Sequence, residues 1–255
     1  MSTNPDSKIK KLLDLHVPDT VLLASWLESK GFSYNLQQRY KKSGWLEPLG
    51  VGAFKRPNET IGWQGGVYSL QEQAKFPVHV GGLTALSLLG ASHYIRTGKE
   101  TINLFTSQNI NLPVWFRKYD WGVKIDHKRT SFLPEDLAMV KHDIMKYSFR
   151  ISSTERAFFE CLYLAPDKMD MLETYQIMSG LVTLRPRLVQ QLLEQCHSVK
   201  VKRLFLYMAE KANHQWFAYL KTNSVELGYG DRSIVKNGVY NRKYKITIPK
   251  EIDKL

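Results

Sequence analysis

Between Lys8 and Phe54 the apolar positions fall first at helical spacing and then in short alternating runs. Lys8 to Leu15 reads as a first helix. Pro18-Asp19-Thr20 supplies a stop and an N-cap for a second helix, whose apolar face is Val21, Leu22, Leu23, Trp26 and Leu27. Gly31 ends it, and Ser33 is placed to cap a third, in which Leu36 and Tyr40 fall on one side. Asn35, Gln37, Gln38, Arg39, Lys41 and Lys42 take its remaining faces. After Gly44, Trp45-Leu46 and Gly50 to Phe54 read as two short strands joined by a Pro48/Gly50 turn. Helix, helix, glycine joint, helix, hairpin is the order of a winged helix-turn-helix.

Beyond this unit Trp63, Val67, Leu70 and Ala74 form the stripe of another helix, Phe76-Pro77-Val78 is strand-like, and Gly81-Gly82 opens a helix through Leu83, Leu86 and Leu89. Periodicity lapses from His93 to Lys99. Strand patterns follow at 102–105, at Val114-Trp115-Phe116, and in the alternations Trp121/Val123/Ile125 and Tyr147/Phe149/Ile151. Then come helices. Ser152 and Glu155 form a capping box for one that stops at Pro166, and Met171 to Leu181 is a candidate for the next. Pro186 fits the first position of another, and Val201, Leu204, Phe205 and Met208 stripe its neighbour. A strand alternating Tyr244, Ile246 and Ile248 closes the pattern. The fold class expected is α+β: a winged helix-turn-helix region with a packed helical extension over 1–95, and a mixed α/β domain over 96–255.

Length adds little to this picture, since 255 residues accommodate one small and one larger module. Charge adds more. Thirty-six Lys and Arg against 24 Asp and Glu give +12, which favours a polyanionic partner. From Ser33 to Arg56 the bases Arg39, Lys41, Lys42, Lys55 and Arg56 face Glu47 alone, and the stretch after Ser198 is basic again. No apolar run is long enough for a membrane span, and residues 1–15 lack the apolar core of a secretory signal, so a cytoplasmic protein is expected. Cys161 and Cys196 lie in helix-like patterns and read as buried thiols.

A recognition helix meets base edges with amide side chains suited to adenine and with Arg suited to guanine. Asn35, Gln38 and Arg39 are the base-reading candidates, with Gln37 and Lys41 on the same helix. Ser33, Tyr34 and Lys42 suit phosphates, and the wing bases Lys55 and Arg56 suit the backbone or a minor groove. Toward the other end, Lys200, Lys202 and Arg203 sit where cations oppose a helix dipole. With Arg232 and Lys236 they make a candidate second basic surface, and the tyrosines nearby suit single-stranded nucleic acid or a core equally. Solvated helix faces explain the same charges without any ligand.

Catalytic patterns are thin. Gly228-Tyr-Gly-Asp-Arg-Ser lacks the ending of a P-loop, the seven histidines show no metal spacing, and no serine sits in a nucleophile elbow. Asp120 and Asp126 near a strand leave a metal nuclease as a remote alternative. No cofactor and no catalytic centre are expected.

Several segments together carry a resemblance: Leu-Glu-Ser-Lys-Gly-Phe-Ser (27–33), Tyr-Lys-Lys-Ser-Gly-Trp-Leu (40–46), Gly-Ala-Phe-Lys-Arg-Pro (52–57), Trp63-Gln-Gly-Gly-Val and His79-Val-Gly-Gly-Leu. Further along stand Ser152-Ser-Thr-Glu-Arg-Ala, Ser198-Val-Lys-Val-Lys-Arg-Leu and Gly228-Tyr-Gly-Asp-Arg-Ser. On these the chain resembles the AbiEi antitoxins of type IV toxin-antitoxin systems, in the branch with an N-terminal winged helix. The resemblance implies repression of its own operon at inverted repeats, with two copies on double-stranded DNA and a monomer or weak dimer off it. It also implies that the C-terminal domain counteracts a neighbouring nucleotidyltransferase-like toxin, by meeting either the toxin or its RNA target. An RNA- or protein-binding inhibitor acting through the basic C-terminal surface is the alternative.

Overall fold

The computed structural model describes residues 5–91 and 99–255. Most of the expected lapse in periodicity, at 93–98, and the expected division at 95/96 lie outside the described residues.

The first unit runs α1 (Pro5–Leu15), β1 (Leu22–Leu23), α2 (Ala24–Ser29), α3 (Tyr34–Lys42), β2 (Glu47–Gly50) and β3 (Ala53–Lys55). β1 and β2 flank β3, both antiparallel to it. This is the winged helix-turn-helix, with two corrections: Leu22 and Leu23 form a strand rather than the start of α2, and the hairpin turns at Val51-Gly52 between Glu47–Gly50 and Ala53–Lys55, so Pro48 and Gly50 lie in the first strand and Trp45-Leu46 precede it. Asp19 adopts a left-handed φ of 63° and the Thr20 hydroxyl donates back to the Val17 carbonyl, so neither caps the helix. Leu12, Leu22, Leu27, Phe32, Tyr40, Leu46 and Phe54 close a small core of their own.

α4 (Trp63–Glu72) fastens this unit to the rest. The Ser69 hydroxyl accepts from Val21 N at 3.0 Å and donates to Val21 O at 2.7 Å, while Gln73 bonds both Val21 and Leu23. A Cβ on Gly65 would fall 2.0 Å from the Asp19 carbonyl oxygen, so this approach requires glycine. β4 (Val78–Val80), α5 (Gly82–Leu88), β5 (Thr101–Thr106), α6 (Val114–Lys118), β6 (Lys124–Arg129), β7 (Met139–Ile144) and β8 (Tyr147–Ser152) follow. Five of these strands form one mixed sheet in the order β6-β5-β4-β8-β7. β4 is its centre, so a strand from before the expected division organises the sheet beyond it. The Val114-Trp115-Phe116 run is helical, not extended: Pro113 stands at the N-cap, and a three-residue apolar run does not distinguish strand from helix.

Helices α7 (Thr154–Leu164), α8 (Met171–Gly180), α9 (Pro186–Gln195) and α10 (Val199–Lys211) complete the main core. The cap of α7 is Ser153, whose hydroxyl accepts from Arg156 N, and not the Ser152/Glu155 pair. Ser152 instead bonds Glu160, and Glu155 bonds Arg185. A last small sheet of β9 (Arg232–Ser233), β10 (Val239–Asn241) and β11 (Ile246–Ile248) precedes α11 (Lys250–Lys254). Among the described residues no helix is long and apolar enough to cross a membrane.

Candidate nucleic-acid interface

The α2–α3 joint sets how α3 is presented. Gly31, at φ 89°, turns the chain so that Phe32 enters the small core, and Phe32 N donates to the Leu27 carbonyl at 3.0 Å. Two lysines of α1 cap the end of α2, Lys8 Nζ on Gly31 O at 3.1 Å and Lys11 Nζ on Lys30 O at 2.8 Å. Cations at a helix C-terminus both satisfy free carbonyls and interact favourably with the negative end of the dipole. α3 is thus held from below and from its N-terminal side.

Its outward face carries Ser33, Tyr34, Asn35, Arg39, Lys41 and Lys42, all exposed, with Gln38 half-buried beside them. Tyr34 is 66% exposed. Ser33 occupies the N-cap position without using its hydroxyl there. Among the described residues no hydrogen bond takes up the side chains of Asn35, Gln38, Arg39, Lys41 or Lys42, which leaves amide and guanidinium groups free on a helix of the right width for a major groove.

Three expected contact residues stand elsewhere. Gln37 is 2% exposed and donates its amide to the carbonyls of Ala24 and Phe32, so it belongs to the joint and not to the outer face. Lys55 is half-buried, donating to Glu59 O at 3.0 Å and pairing with Glu47 at 3.3 Å. Arg56 lies over the Trp45 ring, 5.1 Å from its centroid, and donates to the Trp45 carbonyl. Both bases brace the root of the wing. Its tip, Val51 and Gly52, carries no charge; the Gly52 carbonyl accepts from Ala24 N at 2.9 Å and so ties the tip to the start of α2.

The expected second basic surface divides in the same way. Arg203 is 1% exposed, and its guanidinium donates to the carbonyls of Leu227, Gly228, Gly230 and Lys245, gathering the glycine turn and the last sheet onto α10. Lys202 is buried too. Lys200 donates to the carbonyls of Tyr163 and Ala165 at the end of α7, and burial lowers its pKa. Lys200 and Arg203 open α10 because tertiary carbonyls receive their charges, and Lys202 is buried beside them. Arg232 and Lys236 are exposed.

A buried polar cluster underlies two of the quoted motifs. Glu160 accepts from Gly82 N at 2.8 Å, Ser152 at 2.8 Å and Arg156 Nε at 2.9 Å, and pairs with His79 Nε2 at 2.8 Å. Burial raises the Glu160 carboxyl, but His79, Arg156 and the Gly82 amide outweigh it and hold its pKa at about 2. Burial lowers that of His79. A Cβ on Gly81 would meet Glu160 Oε2 at 2.1 Å, so the His79-Val-Gly-Gly segment is shaped to this carboxylate. Asp120 pairs with Lys99 at 3.6 Å and Asp126 with Lys168, and among the described residues no group of three or more His, Cys, Asp or Glu side chains converges as a metal site.

Two family models match. One, described as "Transcriptional regulator, AbiEi antitoxin N-terminal domain", covers residues 5–97; the other, "Transcriptional regulator, AbiEi antitoxin, Type IV TA system", covers 99–249. The chain belongs to the AbiEi antitoxin family. No curated protein matches the sequence. The crystal structure of the RV2827C protein from Mycobacterium tuberculosis shares the AbiEi chain's fold, with a TM-score of 0.57 at 12% identity over 89% of this chain and 85% of that one. Families of this kind comprise transcriptional regulators, and the outward face of α3 is where this AbiEi chain offers unpaired groups for such a role.

Proposed function

We propose that this AbiEi chain represses its own operon by binding inverted repeats as two copies, reading bases with Asn35, Gln38 and Arg39 and gripping phosphates with Ser33, Tyr34, Lys41 and Lys42. The observation that carries this is the set of unpaired amide and basic side chains on the outward face of a fixed α3. Two copies about a twofold axis would place their α3 helices in successive major grooves of one duplex face. Family membership supports the second half of the reading: in the cytoplasm, and without a catalytic centre of its own, the chain counteracts a nucleotidyltransferase-like toxin encoded beside it. The exposed Arg232 and Lys236 remain the C-terminal candidates for that task, since Lys202 and Arg203 are buried.

A reporter driven by the chain's own upstream region tests the repressor half. Wild-type protein lowers reporter output, and Gln38→Ala with Arg39→Ala restores it several-fold at equal protein level. Undiminished repression by that variant contradicts the assignment of the α3 face.

A further inference from the structure

With Lys55 and Arg56 turned to bracing, the wing carries no free cation of its own. The helix packed on the wing, α6, carries two exposed cations, Arg117 and Lys118. Trp115 of α6 is seated on the wing strand: a Cβ on Gly50 would stand 2.8 Å from Trp115 Cβ and 3.1 Å from its Cα. That contact is stiff, because Trp115, Phe116, Tyr119 and Trp121 form one aromatic cluster, and Trp121 in turn fits against Gly66 of α4, 2.5 Å from where a Cβ would be.

The outer face of this short helix is Val114, Arg117 and Lys118, spaced three and four apart and all exposed. Arg117 Nε donates to the Leu112 carbonyl at 3.0 Å, which anchors the guanidinium at the surface. Arg129, also exposed, extends the basic run on β6. Burial lowers the pKa of His127 on the same strand, Arg129 and Arg117 lower it further, and Asp126 opposes them. Of the nearby acids, Asp120 pairs with Lys99 and Asp126 with Lys168.

Resting on the repressor reading above, we infer that α6 completes the DNA-binding surface: Arg117 and Lys118, fixed beside the wing by the Gly50–Trp115 contact, grip duplex phosphates flanking each half-site. The second module then contributes directly to operator affinity, and it does so without reading sequence, since phosphate contacts position but do not discriminate. The wing supplies the rigid attachment and α6 the charge.

The test is a salt series with the full chain on its own upstream duplex and on a scrambled duplex of equal length. Arg117→Ala with Lys118→Ala should weaken both by a similar factor, keep the preference between them, and flatten the slope of log K against log salt by roughly 1.8, two phosphate contacts at about 0.9 each. Arg117→Lys with Lys118→Arg should keep the wild-type slope, and Lys118→Ala alone, which leaves the Leu112 bond intact, should flatten it by about half as much. A wild-type slope in the double alanine variant, alongside binding that Arg39→Ala still weakens, overturns the α6 assignment alone. Failure of the wild-type chain to bind either duplex overturns the repressor reading with it.

Discussion

Gln37 donates its side-chain amide to the Ala24 carbonyl at 3.0 Å, joining α3 to the first residue of the helix before it. Its neighbour Gln38 faces outward. The two glutamines therefore answer differently to truncation. Gln37→Ala leaves the Ala24 and Phe32 carbonyls without this donor, and should cost about 1–3 kcal/mol of stability, read as a lower denaturation midpoint. Gln38→Ala should leave the midpoint within about 0.5 kcal/mol and lower operator affinity instead. Equal stability losses at both positions would mean that the outward face is structural.

The approach of Trp115 to Gly50 gives a second expectation. An added methyl group has no room at 2.8 Å from another Cβ, so Gly50→Ala should push the wing away from α6. Overpacking of this kind costs about 1–3 kcal/mol. Operator affinity should fall with it, and more than in a control at exposed Gly90, where a Cβ meets nothing within 4 Å and only the φ of 69° is strained. Native affinity and stability in Gly50→Ala would show that the wing is not held in this way.

Arg203 and Arg232 contrast buried, hydrogen-bonded charge with exposed charge in the C-terminal module. Arg203→Ala removes a donor from four carbonyls, of which Lys245 O keeps the Arg232 amide, and should destabilise the fold by on the order of 3 kcal/mol, visible in chemical denaturation. Arg232→Glu with Lys236→Glu should leave stability within about 0.5 kcal/mol. If that pair also leaves protection from the toxin intact in a co-expression growth assay, the exposed part of the expected basic surface is not where antitoxicity resides.

Acid stability follows from Glu155 and Glu160. Burial raises both, but Arg185 around Glu155, and His79 with Arg156 around Glu160, hold each at about 2 against an ordinary 4.5. A carboxylate whose folded pKa lies below its unfolded one stabilises the fold above the unfolded value and ceases to do so as pH falls through the folded one. The expected loss therefore runs from about 4.5 down to about 2, and Glu160→Gln should flatten that part of a stability-against-pH curve while lowering stability at pH 7. An unchanged acid limb in Glu160→Gln would show that the buried carboxylate does not control it.

Much of this organisation was legible in the residues themselves. Helical spacing and glycine punctuation located α3, the wing and the helices from α7 to α10, because local pattern and tertiary burial agree there. Side-chain direction within α3 was less legible: Leu36 and Tyr40 mark one apolar side, yet Gln37 also turns inward because the carbonyls of Ala24 and Phe32 need a donor. Arg203 reads as surface charge for the same reason, since its partners are backbone carbonyls that no sequence pattern displays, and the burial of Lys202 is equally invisible in the sequence. Val114-Trp115-Phe116 alone reads as a strand, although Pro113 carries the signal of the helix start that α6 takes. The glycines at 50, 65, 66 and 81 sit at close approaches visible only in three dimensions.

The most direct test of the repressor reading is the affinity of the wild-type chain for its own upstream duplex and for a scrambled duplex of equal length, measured as salt rises. The expected result is a preference of at least about a thousandfold for the native fragment that persists as phosphate contacts weaken, and that collapses when Asn35, Gln38 and Arg39 are replaced by alanine. Equal binding to both duplexes, lost together with salt, would contradict it.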